Sequence, residues 1–256
     1  MCYDKAFATK KHIEYAQRYA TTPDEIEYLQ KRLDELNVQP RYFSTGFDHP
    51  DIMTIANDDP KNIQLMNWGL VPFWQNVVAS NKTLNARSET VFTVASYKGP
   101  IETNRCLIIT DNFFEHQHQG KTKIPHAIRM KNNEPFSIAG IWKEVTGANG
   151  EKRRTVAILT TEANPMMAKI HNNPQGSEGP RMPVILPKEL ERQWLEPTED
   201  PKHTKDLVQS LCRPFDQDLM EAYTVRQLKG KNGTGNNPAA LARFNYIESS
   251  GGLFSN

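Results

Sequence analysis

The chain has 256 residues, enough for one large domain or two small ones whose apolar cores need no disulfide. Its 31 basic and 30 acidic residues nearly cancel, so bulk charge is excluded as a source of attraction to a polyanion, and any such attraction must come from local arrangement. Three widely spaced cysteines, Cys2, Cys106 and Cys212, form no C-x-x-C pair, and no uncharged apolar run approaches the roughly 20 residues that span a bilayer. A cytoplasmic location without membrane contact is therefore expected, a nuclear one being equally compatible in a cell with compartments, and the protein is expected to be a monomer.

Residues 10–37 read as helical. Thr22-Pro23 followed by Glu25 has the form of a capping box with proline in the first turn, and Ile26, Leu29, Leu33 and Leu36 then share one face. From about 40 to 160 the pattern changes to short strands: DIMTIA, NIQLMNW, RCLIIT, IPHAIRM, FSIAGIW and RTVAILT. TGANGEK carries the residues of a hairpin loop, so the last two are expected to pair antiparallel. Asn164-Pro165 opens a short helix ending near His171; PRMPVIL reads as a buried strand, PKELERQWLE as a helix opened by Pro187, and Lys205–Leu211 as another helix. KGKNGTGNNPAA reads as a mobile loop and FNYIE as a possible last strand. The expected architecture is α+β, a mainly antiparallel sheet or barrel-like β core flanked by several helices. It forms one domain over 1–256, with a flexible C-terminal tail from about 228.

Cys2 follows the initiator methionine. Removal of Met1 places a free α-amine and a thiol on adjacent carbons of one residue. Their ordinary pKa values, about 7.7–8.0 and about 8.5, leave useful fractions of both nucleophiles near neutrality. An aldehyde meeting that pair gives first a Schiff base and then a five-membered thiazolidine, the second step favoured by being intramolecular. NARSET at 85–90 supplies an amide, a guanidinium, a hydroxyl and a carboxylate, suited either to fixing a phosphate and sugar or to a self-bonded polar turn. Glu115, after Phe113 and Phe114 near the end of an apolar strand, is placed to be desolvated and to move protons. His171 at a helix C-terminus is placed where the macrodipole favours imidazolium.

In this order Cys2, WGLVPFW at 68–74, NARSET at 85–90, RCLIITDNFFEH at 105–116, GIW at 140–142, and Ile170-His171 followed by RMPVIL at 181–186 resemble the SOS-response-associated peptidase family. The resemblance implies recognition of abasic sites in single-stranded DNA and their capture as a covalent thiazolidine crosslink through Cys2, with lyase and Met1-releasing peptidase activity also possible. It implies catalytic roles for Cys2, Asn85, Glu115 and His171, and DNA contacts by Asn85, Arg87, Ser88, Arg181, His116 and Trp68. Trp68 is the candidate stacking platform for an unpaired base. In a bacterium such a protein would be nucleoid-associated. No cofactor or metal is called for.

The chain departs from the family at Tyr3-Asp4, where Gly-Arg is usual, at His116, where an aromatic is usual, and in NNPQGSEGP, which lengthens the interval between His171 and Arg181. Lys121 with Lys123, and Lys152 with Arg153 and Arg154, are read as hairpin-loop cations able to line a DNA path or merely to face solvent. Two other functions remain open: a peptidase or amidohydrolase with Cys2 as N-terminal nucleophile, and a non-covalent module for modified DNA. A metal site on Glu115, His116 and His118 is the weakest reading.

Overall fold

The structure is a computed structural model and describes residues 3–72, 81–120, 122–147, 149–173, 179–198 and 200–246. In chain order its elements are β1 (Asp4–Phe7), α1 (His12–Tyr19), α2 (Pro23–Leu36), β2 (Arg41–Thr45), β3 (Asp51–Ala56), β4 (Asp59–Trp68), β5 (Asn85–Arg87) and α3 (Ala95–Thr103). Then follow β6 (Arg105–Thr110), β7 (Asn112–Gln119), β8 (Thr122–Met130), β9 (Phe136–Thr146), β10 (Lys152–Glu162), α4 (Pro165–Ile170) and β11 (Arg181–Pro183). The last are β12 (Ile185–Leu186), α5 (Lys188–Leu195), α6 (Pro201–Leu211) and β13 (Met220–Thr224).

The α+β, barrel-like architecture expected from the sequence is the one observed. β4 pairs with β3, β3 with β6, β6 with β9 and β9 with β10, and β10 returns to β4, so these strands close on themselves and expose no edge within the ring. The pairing of β10 with β4 is parallel, and the others in the ring are antiparallel. The ring is tight at Gly140 on β9: a Cβ there would lie 2.7 Å from Ile108 and 2.9 Å from the sulfur of Cys106. A second, antiparallel sheet runs β2-β1-β7-β8-β13. One of its faces joins the barrel's apolar core through Phe7, Phe113 and Ile128, while the other packs Phe114, Ala127 and Tyr223 against Leu228 and Ala240.

The helical stretch divides into α1 and α2. Leu29 and Leu33 are buried, with Ile26 and Leu36 packed at the margin, as the spacing predicts. Only half of the capping box forms: Thr22 Oγ1 accepts from the Glu25 N–H, a cap worth about 1 kcal/mol, whereas the Glu25 carboxylate turns back to the N–H and hydroxyl of Thr21. The β9–β10 hairpin forms as expected, with Thr146 opposite Lys152. Asn164 caps α4 by accepting from the Met167 N–H. Pro187 is the N-cap of α5 and lies just outside the helix, and α6 starts earlier than the sequence suggests, at Pro201 behind the Asp200 cap.

Three expectations are corrected. Lys152, Arg153 and Arg154 belong to β10 and not to a loop, and Lys152 and Arg154 are paired with Glu144 and Asp58; Lys123 likewise lies within β8, and Lys121 lies outside the described residues. Residues 228–246 do not trail away, because Leu228 and Ala240 are buried under the second sheet. FNYIE makes no strand within the described residues; Arg243 before it forms an isolated bridge with Val225. No helix among the described residues is long and apolar enough to cross a membrane.

Candidate active site

β10 organises the site because it carries a short strand on each side of its C-terminal half. β5 runs parallel to it, with Asn85 opposite Ile158 and Arg87 opposite Thr160, while β11 runs antiparallel, with Arg181 opposite Glu162. Side chains alternate along β5, so Ala86 is buried in the core and Asn85 and Arg87 share the other face. Thr160 ties the strands together. Its hydroxyl donates to Ala86 O and accepts from Arg181 Nε, while its carbonyl accepts from the Ser88 N–H and from Arg181 Nη2.

Arg181 is almost fully buried, and Glu89 from NARSET holds its Nη2 through both carboxylate oxygens, at 2.8 and 3.1 Å. The phosphate-contacting role expected for Arg181 is therefore met by a carboxylate in this structure. The Arg181 backbone is engaged as well, its N–H donating to His171 Nδ1 at 3.0 Å. That bond makes Nδ1 an acceptor and leaves the neutral imidazole's proton on Nε2. Nε2 lies 3.9 Å from Glu115 Oε2.

β7 brings Glu115 to this histidine. Asn172, next to His171, accepts from the His118 N–H at 2.7 Å and donates to the His118 carbonyl at 3.0 Å, and Gln117 donates to Lys169 O. These bonds stitch the end of α4 to β7. Burial pushes the Glu115 carboxyl above the usual carboxylate range, although Oε1 accepts from the His116 N–H. Burial, with the nearby charge of Arg181, holds His171 down to about 4. The expected support of imidazolium by the helix dipole is thus overturned: α4 has only six residues, and desolvation together with cationic neighbours outweighs its field.

Asn85 supplies a different signal. Both its Nδ2 and its Oδ1 are buried with no hydrogen-bond partner, while its backbone carbonyl accepts from Tyr97 OH at 3.0 Å. A buried amide left unmatched at both ends is costly in a folded protein. Tyr97 itself is raised to about 12 by burial.

The structure gathers Asn85, Arg87, Glu115, His171 and Arg181 around the end of β10. Ser88 follows on β5's exit, and His116 lies on the opposite face of β7 from Glu115, partly buried. Trp68 is corrected: it is fully buried, its indole N–H donates to Leu84 O, and it packs beneath Gly46, so it has no face to offer a base and instead supports the chain entering β5. Cys2, Phe73 and Trp74 lie outside the described residues. The strand that follows Cys2 is described, and its register is informative: Asp4 sits opposite Phe114 and antiparallel to it, so the chain before Asp4 runs toward Glu115 and His116. Glu89, Thr160 and Tyr97 were not assigned from the sequence; the available signal for Glu89 was its place in NARSET, directly after Arg87 and Ser88. Among the described residues no three His, Cys, Asp or Glu side chains are grouped to hold a metal ion.

The sequence model of the SOS response associated peptidase (SRAP) family matches residues 1–231. The chain is 36% identical over 208 residues to the abasic site processing protein YoqW of Bacillus subtilis, covering 77% of this chain and 87% of that one. It is 29% identical over 182 residues to the abasic site processing protein YMR114C of Saccharomyces cerevisiae, covering 69% and 46%. A crystal structure of a protein from Bacteroides thetaiotaomicron superposes with a TM-score of 0.73 at 32% identity, covering 95% of this chain and all of that one. With a family match over most of its length and a relative 36% identical over 77% of it, the chain belongs to the SOS response associated peptidase family.

Proposed function

We propose that the protein binds single-stranded DNA at abasic sites and, once Met1 is removed, joins Cys2 to the sugar as a thiazolidine that shields the lesion. The observation that carries this reading is the desolvated Glu115 carboxyl beside the Nε2–H of His171, at the place toward which the chain leading from Cys2 runs. The names of the relatives, abasic site processing proteins, support the substrate class.

The chemistry follows from these groups. An abasic sugar is mostly a closed hemiacetal, and opening it requires a proton for the ring oxygen and a base for the anomeric hydroxyl. Glu115 takes the hydroxyl proton and delivers it to the ring oxygen, while His171, neutral near pH 7, keeps its proton and steadies that oxygen with a hydrogen bond from Nε2. The Cys2 amine then adds to the aldehyde carbon. Glu115 carries one proton from the attacking nitrogen to the carbonyl oxygen and the second to the hydroxyl so formed, water leaves, and an imine remains. The Cys2 sulfur adds to the imine carbon as its proton passes to nitrogen, closing the ring. Asn85 satisfies its amide on the ligand, and Arg87 engages the adjoining phosphate. A baseless sugar in a single strand enters such a pocket at less cost than one held in a duplex.

Intact mass of the purified protein should show loss of Met1, and mixing with an abasic single-stranded oligonucleotide should add the oligonucleotide's mass less one water. Cys2→Ala should leave no species that survives a denaturing gel; retention of that species by the variant would refute capture through Cys2.

A further inference from the structure

Beside the end of β1 stands a patch that the chemistry above leaves unused. Phe47, on the turn after β2, is 46% exposed although it is a large apolar side chain. Its ring centroid lies 4.9 Å from that of Tyr3, with the planes tilted by 35°. The Gly46 N–H donates to Tyr3 O at 2.7 Å, which fixes the turn against the residue that follows Cys2. Lys229, from the segment after β13, donates to Asp4 Oδ1 at 2.9 Å and to Thr45 Oγ1 at 3.3 Å. Its ammonium lies 5.5 Å from the Phe43 ring centroid and 5.8 Å from that of Phe47.

The need of a buried carboxylate for a partner explains why Lys229 meets Asp4. It does not explain why an aromatic ring is left open next to that ammonium. An open ring and a fixed cation together are the combination that holds an unpaired nucleotide, the ring taking the base and the ammonium the phosphate. The location is specific as well, since Tyr3 adjoins Cys2 in sequence and Asp4 lies opposite Phe114, one residue from Glu115.

We infer that Phe47, Tyr3 and Lys229 form a subsite for the nucleotide next to the abasic residue, a reading that rests on the proposed abasic-site function. The base stacks on Phe47. Of the three N–H groups of Lys229, two are used by Asp4 and Thr45, and the third donates to a phosphate oxygen. Because Asp4 neutralises Lys229 at a distance, the subsite supplies stacking and one directed bond rather than long-range attraction, and stacking makes it indifferent to which base is present. In this chain, Asp4 has no positive charge to offer DNA itself, but it recruits one from the C-terminal segment.

The test uses full-length protein and single-stranded oligonucleotides carrying a tetrahydrofuran analogue, which has no aldehyde, flanked by 2-aminopurine. Binding to the wild type should quench the 2-aminopurine. Replacing the flanking nucleotide on that side by a second analogue, so that no base is left to stack, should weaken wild-type binding about 10-fold. Phe47→Leu, with an unchanged melting temperature, should lose the quench and bind about 10-fold more weakly. The double variant Asp4→Asn with Lys229→Met, which keeps the pair neutral, should weaken binding about 5-fold. Equal wild-type affinity for the two oligonucleotides, or an undiminished quench in folded Phe47→Leu, overturns the subsite. A parallel reaction of wild type with aldehyde-bearing abasic DNA keeps the two readings apart: quenching without crosslinking overturns the thiazolidine chemistry and leaves the subsite standing.

Discussion

Arg105 and Arg181 are both buried arginines, placed in regions of opposite construction. Arg105, between the C-terminal ends of α3 and α5, donates to the carbonyls of Ile101, Glu102, Trp194 and Glu196 and to the hydroxyl of Thr198. Most of these are helix-end carbonyls that no intrahelical donor can reach, so the guanidinium caps two helices at once. Arg181 has one backbone acceptor, Thr160 O, and the Thr160 hydroxyl, and its remaining partner is the carboxylate of Glu89, a side chain 43% exposed. Backbone acceptors cannot be withdrawn without opening the fold, whereas a half-exposed carboxylate can turn to water and leave its place to another anion. Around Arg105 the guanidinium is matched within the protein; at Asn85 both ends of an amide are buried without a partner.

This contrast sets how strongly each region should respond to substitution, and in which property. The largest expected effect is on chemistry: Glu115→Gln keeps the shape of the side chain and removes the proton carrier, so the crosslinking rate should fall about 10³-fold in single-turnover assays, with little change in melting temperature. Next is Arg105→Met, which orphans several buried carbonyls and should cost about 3 kcal/mol of stability in urea titrations. Arg181→Met should cost visibly less stability than Arg105→Met, since Glu89 can hydrate; an equal loss would mean that Arg181 is as structural as Arg105. Asn85→Ala should reduce crosslinking roughly 10-fold while changing stability by less than about 1 kcal/mol, because the amide makes no internal bond to lose.

The smallest effect is on pH dependence. The folded pKa of His171, about 4, lies below its ordinary value, so below about 6.5 the unfolded chain takes up a proton that the folded one refuses. Stability should therefore decline as pH falls from about 6.5 to 4, by an amount on the order of 1 kcal/mol after allowance for partial solvation. His171→Gln should flatten that part of the urea-midpoint profile. A profile unchanged by the substitution would show that the imidazole is not desolvated.

Strands long enough to alternate, and helices with a proline and a cap, were legible in the sequence. β1 was not. Its residues read Asp-Lys-Ala-Phe, yet all four are buried between β2 and β7, with the Lys5 ammonium 5.5 Å from the Phe7 ring centroid and 5.6 Å from that of Trp68. A strand covered on both faces loses the period of two, and its polar residues then suggest a surface. β13, Met-Glu-Ala-Tyr-Thr, has only one fully apolar repeat and escaped for a related reason. In the site, the motif residues were legible from the family's pattern. Trp68 was misplaced because an indole next to glycine looks the same in sequence whether it faces a ligand or the core, and its partner, Leu84 O, is 16 residues away. Thr160 was invisible for want of any unusual chemistry; its importance comes from the two strands that flank it.

The hydrogen bond from the Arg181 amide to His171 joins the two ends of a nine-residue interval, NNPQGSEGP. The imidazole is thus oriented by a bond and by Asn172, and its position does not depend on the length of chain that follows. Lengthening such a closed interval costs little, about 0.6 kcal/mol for each doubling. Residues can therefore be added to or trimmed from this interval at little cost while the imidazole keeps its place beside Glu115.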